Sequence, residues 1–262
     1  MSTRRPRALI TGASAGIGLS YAEHLARTGH DLVIVARRAD RLAKLATRLE
    51  SDHGIEVEAI AADLGSSEGV ATIAARIETG ERIDLLINNA GYAVRGKVAE
   101  LDPDALEQMI RVNVLALSRL SHSAMKRMIA DGRGSIINVS SGTALMQFPS
   151  NAGYGASKNF VMAFTRHMQA EAAGTELRIQ LLMPGVVATD FHQIAGGDVA
   201  NFPADWVMKA DDLVVASLRA LEMGEPVCIP SLPGIRDWEA YVEAEKTVAA
   251  NVSRDHIAPR YH

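Results

Sequence analysis

Tyr154 and Lys158 stand four residues apart, a spacing that puts both side chains on one face of a helix. An ammonium beside a phenol stabilises the phenolate and lowers a pKa that is ordinarily about 10. A phenol tuned in this way can give a proton to an oxygen, or take one back, near neutral pH. Ser140 and Ser141 come ahead of the pair, at the end of the apolar run Ser135–Val139. Alone, a Tyr-x-x-x-Lys pair is also what a solvated helix face carries, so its meaning depends on its company.

The second chemical feature lies near the N-terminus, where Thr11-Gly12-Ala13-Ser14-Ala15-Gly16-Ile17-Gly18 follows the apolar run Ala8–Ile10. Glycines at 12, 16 and 18 permit a tight turn and close backbone approach to a pyrophosphate. A helix from about Ile17 to Arg27 would aim its free N–H groups and positive dipole end at that anion. The spacing is G-x-x-x-G-x-G, and a strand before it and a helix after it are the context in which such a turn holds a dinucleotide. In such sites an acidic residue near the end of the second strand usually accepts bonds from the adenosine ribose. Here Ala36-Arg37-Arg38 stands there instead. An acid would repel a 2′-phosphate, whereas arginine offers it a fork of charge-assisted bonds. That favours NADP(H) over NAD(H), with Arg37 the first choice for the contact and Arg38 the second. Asp63 is suited to an adenine amino group or, equally, to capping the helix that follows.

Short apolar runs alternate with amphipathic stretches almost to the end of the chain. The runs are Ala8–Ile10, Leu32–Val35, Val57–Ile60, Leu85–Ile87, Ser135–Val139, Ile179–Leu182 and Val227–Ile229. Continuous apolar runs predict strands buried on both faces of a parallel sheet. Leu42, Leu45 and Leu49 repeat at helical spacing with Arg41, Lys44 and Arg48 on the wet side, and Ile73 and Ile77 form another stripe. A long helical segment is predicted from Pro103 to Met128, its Met109, Val112, Leu117 and Leu120 reading as core or subunit contacts. The fold class is α/β: a Rossmann-like doubly wound parallel sheet of about seven strands with helices on both faces. One domain over 1–262 is the economical reading, with an irregular loop at about 190–209 and a tail at about 234–262.

The bulk properties narrow the partners. The 262 residues are 48% hydrophobic and 22% charged, near the globular average. A net charge of -4 argues against nucleic acid or an anionic membrane as partner. The one cysteine, Cys228, excludes an intrachain disulfide and a cysteine-cluster metal site, and its apolar neighbours predict a buried small hydrophobe. The first apolar segment is too short for a signal-peptide core, and no apolar run approaches a bilayer span. The expectation is a cytoplasmic protein with no metal.

Taken together, these motifs resemble those of the short-chain dehydrogenase/reductase family in its compact single-domain form. The resemblance rests on Thr11-Gly12-x-x-x-Gly16-x-Gly18, Asn88-Asn89-Ala90-Gly91, Asn113, Ser141, Tyr154-x-x-x-Lys158 and Pro184-Gly185-x-x-x-Thr189, in the family's order from residue 8 to about 190. It implies that Tyr154 is the catalytic acid–base and that Lys158 tunes it while binding the nicotinamide ribose. It implies further that Ser141, thirteen residues before Tyr154, polarises the substrate oxygen, and that Asn113 holds a water linking Lys158 to solvent. Gly12, Ser14, Gly16, Ile17, Gly18, Arg37, Arg38, Asp63 and Leu64 would take the adenosine and pyrophosphate half of NADP(H). Asn89, Ala90 and Gly91 would form the wall beside the adenosine ribose, and Pro184, Gly185, Val187 and Thr189 the nicotinamide-side contacts. The catalytic set shows no departure from the family pattern. Family members are often homodimers or homotetramers, and an oligomer of that kind is expected.

The activity implied is carbonyl–alcohol interconversion on a small molecule. In an open α/β sheet the ligand lies beyond the carboxyl ends of the strands. The segments there bring Tyr92, Val94, Leu145, Met146, Phe148, Phe191, Ile194, Phe202 and Trp206, a lining for an apolar or aromatic ketone, or else packing of the loops onto the body. His192 falls in the same stretch and is expected in solvent. Two other readings compete: a 3-oxoacyl thioester reductase of the same family, for which Arg95, Lys97 and Arg133 are too scattered to form a carrier-binding patch, and a regulatory protein that binds NADPH without turnover. A sugar epimerase is disfavoured by the glycine spacing.

Overall fold

In the computed structural model, which describes residues 4–191 and 198–262, the apolar runs form strands of one parallel sheet. The strands are β1 (Arg7–Thr11), β2 (Asp31–Ala36), β3 (Val57–Ala61), β4 (Leu85–Asn88), β5 (Gly134–Val139), β6 (Leu177–Leu182) and, after the two short strands named below, β9 (Val227–Cys228). Their order is β3-β2-β1-β4-β5-β6-β9, every pair parallel. The chain therefore runs outward from β1 in one direction and then crosses over to continue from β4 in the other. The crevice at the β1/β4 reversal lies beyond the carboxyl ends of the strands, where ligands of such sheets bind.

Alternation along β1 shows how the sheet divides its two cores. Ala8 and Ile10 pack on one face with Tyr21, Leu25, Leu42, Leu49 and Leu213; Leu9 packs on the other with Ile73, Ile77, Leu120 and Met128. The first face is covered by α1 (Gly16–Arg27), α2 (Ala39–His53) and α7 (Ala210–Met223), the second by α3 (Ser67–Thr79), α5 (Leu117–Ala130) and α6 (Ala152–Glu171). The expectation of strands buried on both faces holds for β1, β2 and β4 but not for β3, at one edge of the sheet, whose Glu58, Ala59 and Ala61 are exposed. The predicted stripe Leu42, Leu45 and Leu49 is buried, and Cys228 is buried in β9.

The long segment predicted from Pro103 is interrupted. After α4 (Pro103–Ile110) the backbone makes a π-helical stretch, Arg111–Ala116, before α5. Such π-bulges locally shift the face that side chains present and are common at functional sites. Asn113 lies in this one. Two short strands, β7 (Val186–Val187) and β8 (Val207–Met208), pair in parallel as a small second sheet.

The chain separates into two compact units, one ending at Pro230 and one from Ser231 to His262. The second contains α8 (Arg236–Ala249), within which Trp238 stacks on Tyr241 at 5.3 Å between ring centroids. Among the described residues no helix is long and apolar enough to cross a membrane.

Candidate active site

The glycine turn is locked to the neighbouring strand end by a single hydroxyl. Thr11 Oγ1 donates to the Ile87 carbonyl at 3.2 Å and accepts the Asn89 and Ala90 amides at 2.9 and 3.0 Å, while Asn89 Nδ2 donates back to the Thr11 carbonyl at 2.9 Å. Gly12 and Gly16 hold φ of 70° and 56°, the left-handed region in which a Cβ is unfavourable. At Gly18 a Cβ would collide with the Gly12 carbonyl and the Asn89 amide, and at Gly16 it would press on Thr189. Thus Thr189, from the segment after β6, closes over the turn. The helix that follows is open at its start: Ala15 offers no side-chain cap, and the first turn holds no acid. Its first N–H groups have no intrahelical acceptors, so a phosphate fits there. These features suit the pyrophosphate of a dinucleotide.

The two arginines after β2 are both exposed. Arg38 donates to Ser14 Oγ at 3.3 Å and so reaches the glycine turn. Arg37 bears on the Tyr92 phenol, drawing its pKa down against burial, while Asp63 pushes it up. Tyr92 is therefore close to the basic end of the crevice as well as being packed against the apolar cluster below. Asp63 does not cap α3: its carboxylate accepts the Gly65 amide at 2.9 Å, and the cap is Ser66, which accepts the Gly69 amide. Leu64 is buried beside it.

At the other end of the crevice four predicted residues meet. Ser141 caps the short 3-10 turn Gly142–Leu145, and its Oγ accepts both the Thr143 amide at 3.2 Å and the Thr143 hydroxyl at 3.0 Å. Hydrogen bonding with Ser141 draws the pKa of Tyr154 down, but burial outweighs this and pushes it up to about 12. Arg95 lowers it as well. Lys158, in the next turn of α6, sits with Nζ 5.8 Å from the Tyr154 ring centroid and donates to the Val139 carbonyl at 2.9 Å. Burial brings its pKa down to about 8. Its backbone is pinned in turn, because Ser140 Oγ donates to the Lys158 carbonyl at 2.7 Å.

Asn113 makes three hydrogen bonds. Its Oδ1 accepts the Tyr92 amide at 3.1 Å, and its Nδ2 donates to the Tyr92 carbonyl at 2.9 Å and to Ser157 Oγ at 3.1 Å. It clamps the loop after β4 onto α6. A Cβ on Gly91 would lie 3.0 Å from Asn113 Oδ1 and 3.3 Å from Lys158 Nζ. Gly91 consequently belongs to the Lys158 end of the Asn89–Gly91 run, while Asn89 and Ala90 abut the glycine turn. Pro184 accepts the Gly142 amide on its carbonyl at 2.8 Å, tying the segment of Gly185, Val187 and Thr189 to the Ser141 turn.

Three side chains do more here than the sequence signals: Thr11, quoted above only within the glycine motif, and Thr143, which orient their neighbours, and Arg95, set aside above as too scattered from Lys97 and Arg133, whose charge reaches Tyr154. Thr11 could have been found, since a hydroxyl at the strand's last position is the nearest donor to the β4 end. For Thr143 and Arg95 nothing in the sequence signals the contact. Of the apolar residues predicted at the substrate end, Phe191 lies 5.6 Å from the Tyr154 ring, and Tyr92 and Val94 pack on the cluster of Ala93, Met109 and Tyr154. Leu145, Met146, Phe148 and Trp206 are exposed. Phe202 is half-buried. His192 and Ile194 lie outside the described residues.

Residues 6–198 match the short chain dehydrogenase family. Among solved structures, a short-chain dehydrogenase from Sphingobium yanoikuyae in complex with NADPH is similar with a TM-score of 0.94 and 36% identity, covering 98% of this chain and 100% of that one. The bulky-bulky ketone specific alcohol dehydrogenase from Comamonas testosteroni is similar with a TM-score of 0.90 and 31% identity, over 99% of both chains. Human 17-beta-hydroxysteroid dehydrogenase type 3 is 31% identical over 223 residues, which make up 84% of this chain and 70% of that protein.

Proposed function

Because the chain belongs to the short-chain dehydrogenase family, we propose that it is an NADP(H)-dependent oxidoreductase that interconverts a ketone or aldehyde and an alcohol, on an apolar or aromatic substrate. The observation that carries this reading is the Ser141–Tyr154–Lys158 arrangement, in which Ser141 acts on the Tyr154 phenol and Lys158 Nζ stands 5.8 Å from its ring centroid.

In the reduction, Tyr154 gives its proton to the carbonyl oxygen while Ser141 donates a hydrogen bond to the same atom. In the oxidation Tyr154 takes the proton back. With a pKa held up at about 12, Tyr154 is protonated at neutral pH and ready to act as the acid. Lys158, at about 8, is still mostly a cation there, and its charge offsets part of the cost of forming phenolate. When bound, NADP(H) supplies or accepts the hydride. Gly12, Ser14, Gly16, Ile17 and Gly18 would hold its pyrophosphate, Arg37 and Arg38 its 2′-phosphate, and Asp63 and Leu64 its adenine. Asn89, Ala90 and Gly91 would line it toward Lys158, and Pro184, Gly185, Val187 and Thr189 would hold the nicotinamide side. Asn113 keeps the loop after β4 and α6 in register so that this lining and Lys158 share one cavity wall.

Support for the substrate class comes from the apolar cluster around Tyr154 and from the Comamonas relative, described as specific for bulky-bulky ketones. The test is oxidation of NADPH and NADH, followed by absorbance, against aryl, alkyl and polycyclic ketones. Turnover with NADPH that is faster than with NADH and that disappears in Tyr154→Phe is the expected result. Tight NADPH binding with no turnover on any carbonyl would overturn it.

A further inference from the structure

The loop after β4 carries a cation that the chemistry above does not use. Arg95 is exposed and makes no hydrogen bond or ion pair with any described residue. Its neighbours on this side of the molecule are matched: Lys97 pairs with Glu100 at 3.3 Å and Arg111 with Glu107 at 2.6 Å.

The backbone that bears Arg95 is held on both sides. Before it, Tyr92 is clamped through its amide and carbonyl by Asn113, and the Val94 amide meets Met109 Sδ at 3.3 Å. After it, the Gly96 amide donates to the Ser150 carbonyl at 3.1 Å. Ser150 is the one non-glycine among the described residues with positive φ, at 64°. A Cβ-bearing residue adopts that region at a cost, and such strain is retained where surrounding structure fixes it. The loop after β4 is thus fastened to the loop leading into α6, with Arg95 at the junction.

What lies beside this junction is apolar. Ala93, two residues before Arg95, packs with Met109 and Tyr154, and Val94 and Phe191 lean on the same cluster. Besides Lys158 on α6, Arg95 is the charged side chain whose field reaches the Tyr154 phenol. No acid stands among the groups that act on that phenol. The reacting oxygen would therefore sit beside the Lys158 ammonium, with an apolar cluster around it and a guanidinium unpaired among the described residues at its edge.

We propose that Arg95 is a specificity residue that binds an anionic group of the substrate, so that the chain acts on carbonyl compounds combining an apolar body with a carboxylate or sulfonate. This rests on the oxidoreductase reading and narrows its substrate class. A guanidinium presents two parallel donors to a carboxylate and cannot be neutralised near neutral pH. At the edge of an apolar cluster the charge-assisted bonds to it contribute more than in open water.

The experiment compares para-acetylbenzoate and benzoylpropionate, which place the carboxylate at two distances from the ketone, with their neutral methyl esters. It uses the wild-type chain, Arg95→Met and Arg95→Lys, each saturated with NADPH. In the wild type at least one acid is preferred over its ester in kcat/KM. In Arg95→Met that preference falls roughly 10- to 100-fold, the span a charge-assisted bond contributes. The fall is in KM for the acid rather than in kcat, and Arg95→Lys recovers part of it. A para-sulfonate analogue ranks the two anions.

Equal losses on acid and ester, or a loss confined to kcat, would overturn the proposal and leave Arg95 as an influence on Tyr154 alone. So would a wild type that does not prefer either acid. If no ketone is turned over at all, the oxidoreductase reading fails separately. Calorimetric titration of the same acids and esters into wild type and Arg95→Met then decides on Arg95, since selective, Arg95-dependent binding of the acid is independent of turnover.

Discussion

The two ends of the crevice are built differently. At the glycine turn, Thr11, Gly12, Asn89 and Ala90 hold one another through backbone and short side-chain bonds, and a Cβ at Gly18 has nowhere to go. At the substrate end, Leu145, Met146, Phe148 and Trp206 stand with a third or more of their surface in water. The first region recognises a constant molecule and is specified by backbone geometry. The second meets a variable one and is specified by side-chain surface alone. Between them Tyr154 and Lys158 belong to the rigid side, since both are buried on α6 and Lys158 is held by the Val139 carbonyl and by Ser140. Substitutions should therefore fall into distinct grades according to which construction they touch.

The largest effect is expected at Tyr154. Replacing it with Phe removes the proton and leaves the ring packing against Phe191. Ketone reduction should drop by about a thousandfold, within the range general acid catalysis spans. NADPH affinity, measured by fluorescence titration, should hardly move. A matching loss of NADPH binding would erase the distinction drawn between positioning and chemistry.

Lys158→Met comes next, and it acts in opposite directions on activity and stability. Activity falls because phenolate formation loses its cation, and the pH at which alcohol oxidation reaches half its maximum in kcat/KM moves upward. Stability follows from linkage. Burial lowers the folded-state pKa of Lys158 to about 8 from an ordinary 10.5, so the unfolded chain binds the extra proton between those values. Stability of the wild type then rises with pH across that window, and the cost of burying the charge is fully present below it. That cost is roughly 3 kcal/mol by the shift alone, reduced by the lost bond to the Val139 carbonyl. Thermal unfolding at pH 6.5 should find Lys158→Met the more stable protein, with the gap closing as the pH is raised past 8 toward 10.5. A gap that is independent of pH would mean the lysine is not desolvated.

How much of this was readable in advance follows the same division. The Tyr154/Lys158 pair, the glycine turn and the seven strands of the parallel sheet are carried by spacing and apolar runs, and the structure sets them where spacing says. The interruption at Arg111–Ala116 was not readable, because a π-bulge replaces one helical periodicity with another over less than two turns and leaves composition unchanged. The exposure of β3 was not readable because a run such as Val57–Ile60 has the same sequence whether or not helices cover it, and the other edge strand, β9, is buried. The influence of Arg95 on Tyr154 spans about sixty residues of chain and the bond of Thr143 to Ser141 depends on loop shape, and neither carries a local signal.

A smaller effect is expected at the arginines. The double variant Arg37→Ala/Arg38→Ala should reduce the preference for NADPH over NADH by roughly tenfold or more, the worth of a charge-assisted bond to phosphate at an exposed site. Comparison of the single variants sharpens the assignment. Arg38 already bonds Ser14 at the glycine turn, whereas Arg37 acts on the Tyr92 phenol through its charge alone, so only the residue that meets the 2′-phosphate should change the ratio when removed alone. A loss of NADH affinity as large as that of NADPH would place both arginines in loop structure instead.

The smallest effect should come from Phe148→Ala, and it separates the two constructions most directly. Phe148 is 49% exposed, so truncation opens no sealed cavity, and thermal stability should stay within about 0.5 kcal/mol of wild type, as for surface substitutions generally. If the ring covers a bulky ketone, its removal takes apolar contact from the bound substrate and from nothing else. The signature is then a few-fold rise in KM for a bulky ketone, little change for a small one, and an unaltered affinity for NADPH, all from steady-state kinetics on two substrates of different size. A large loss of stability would instead show the loop to be part of the folded body, as at the glycine turn, and the contrast between the two ends would shrink to a difference in exposure.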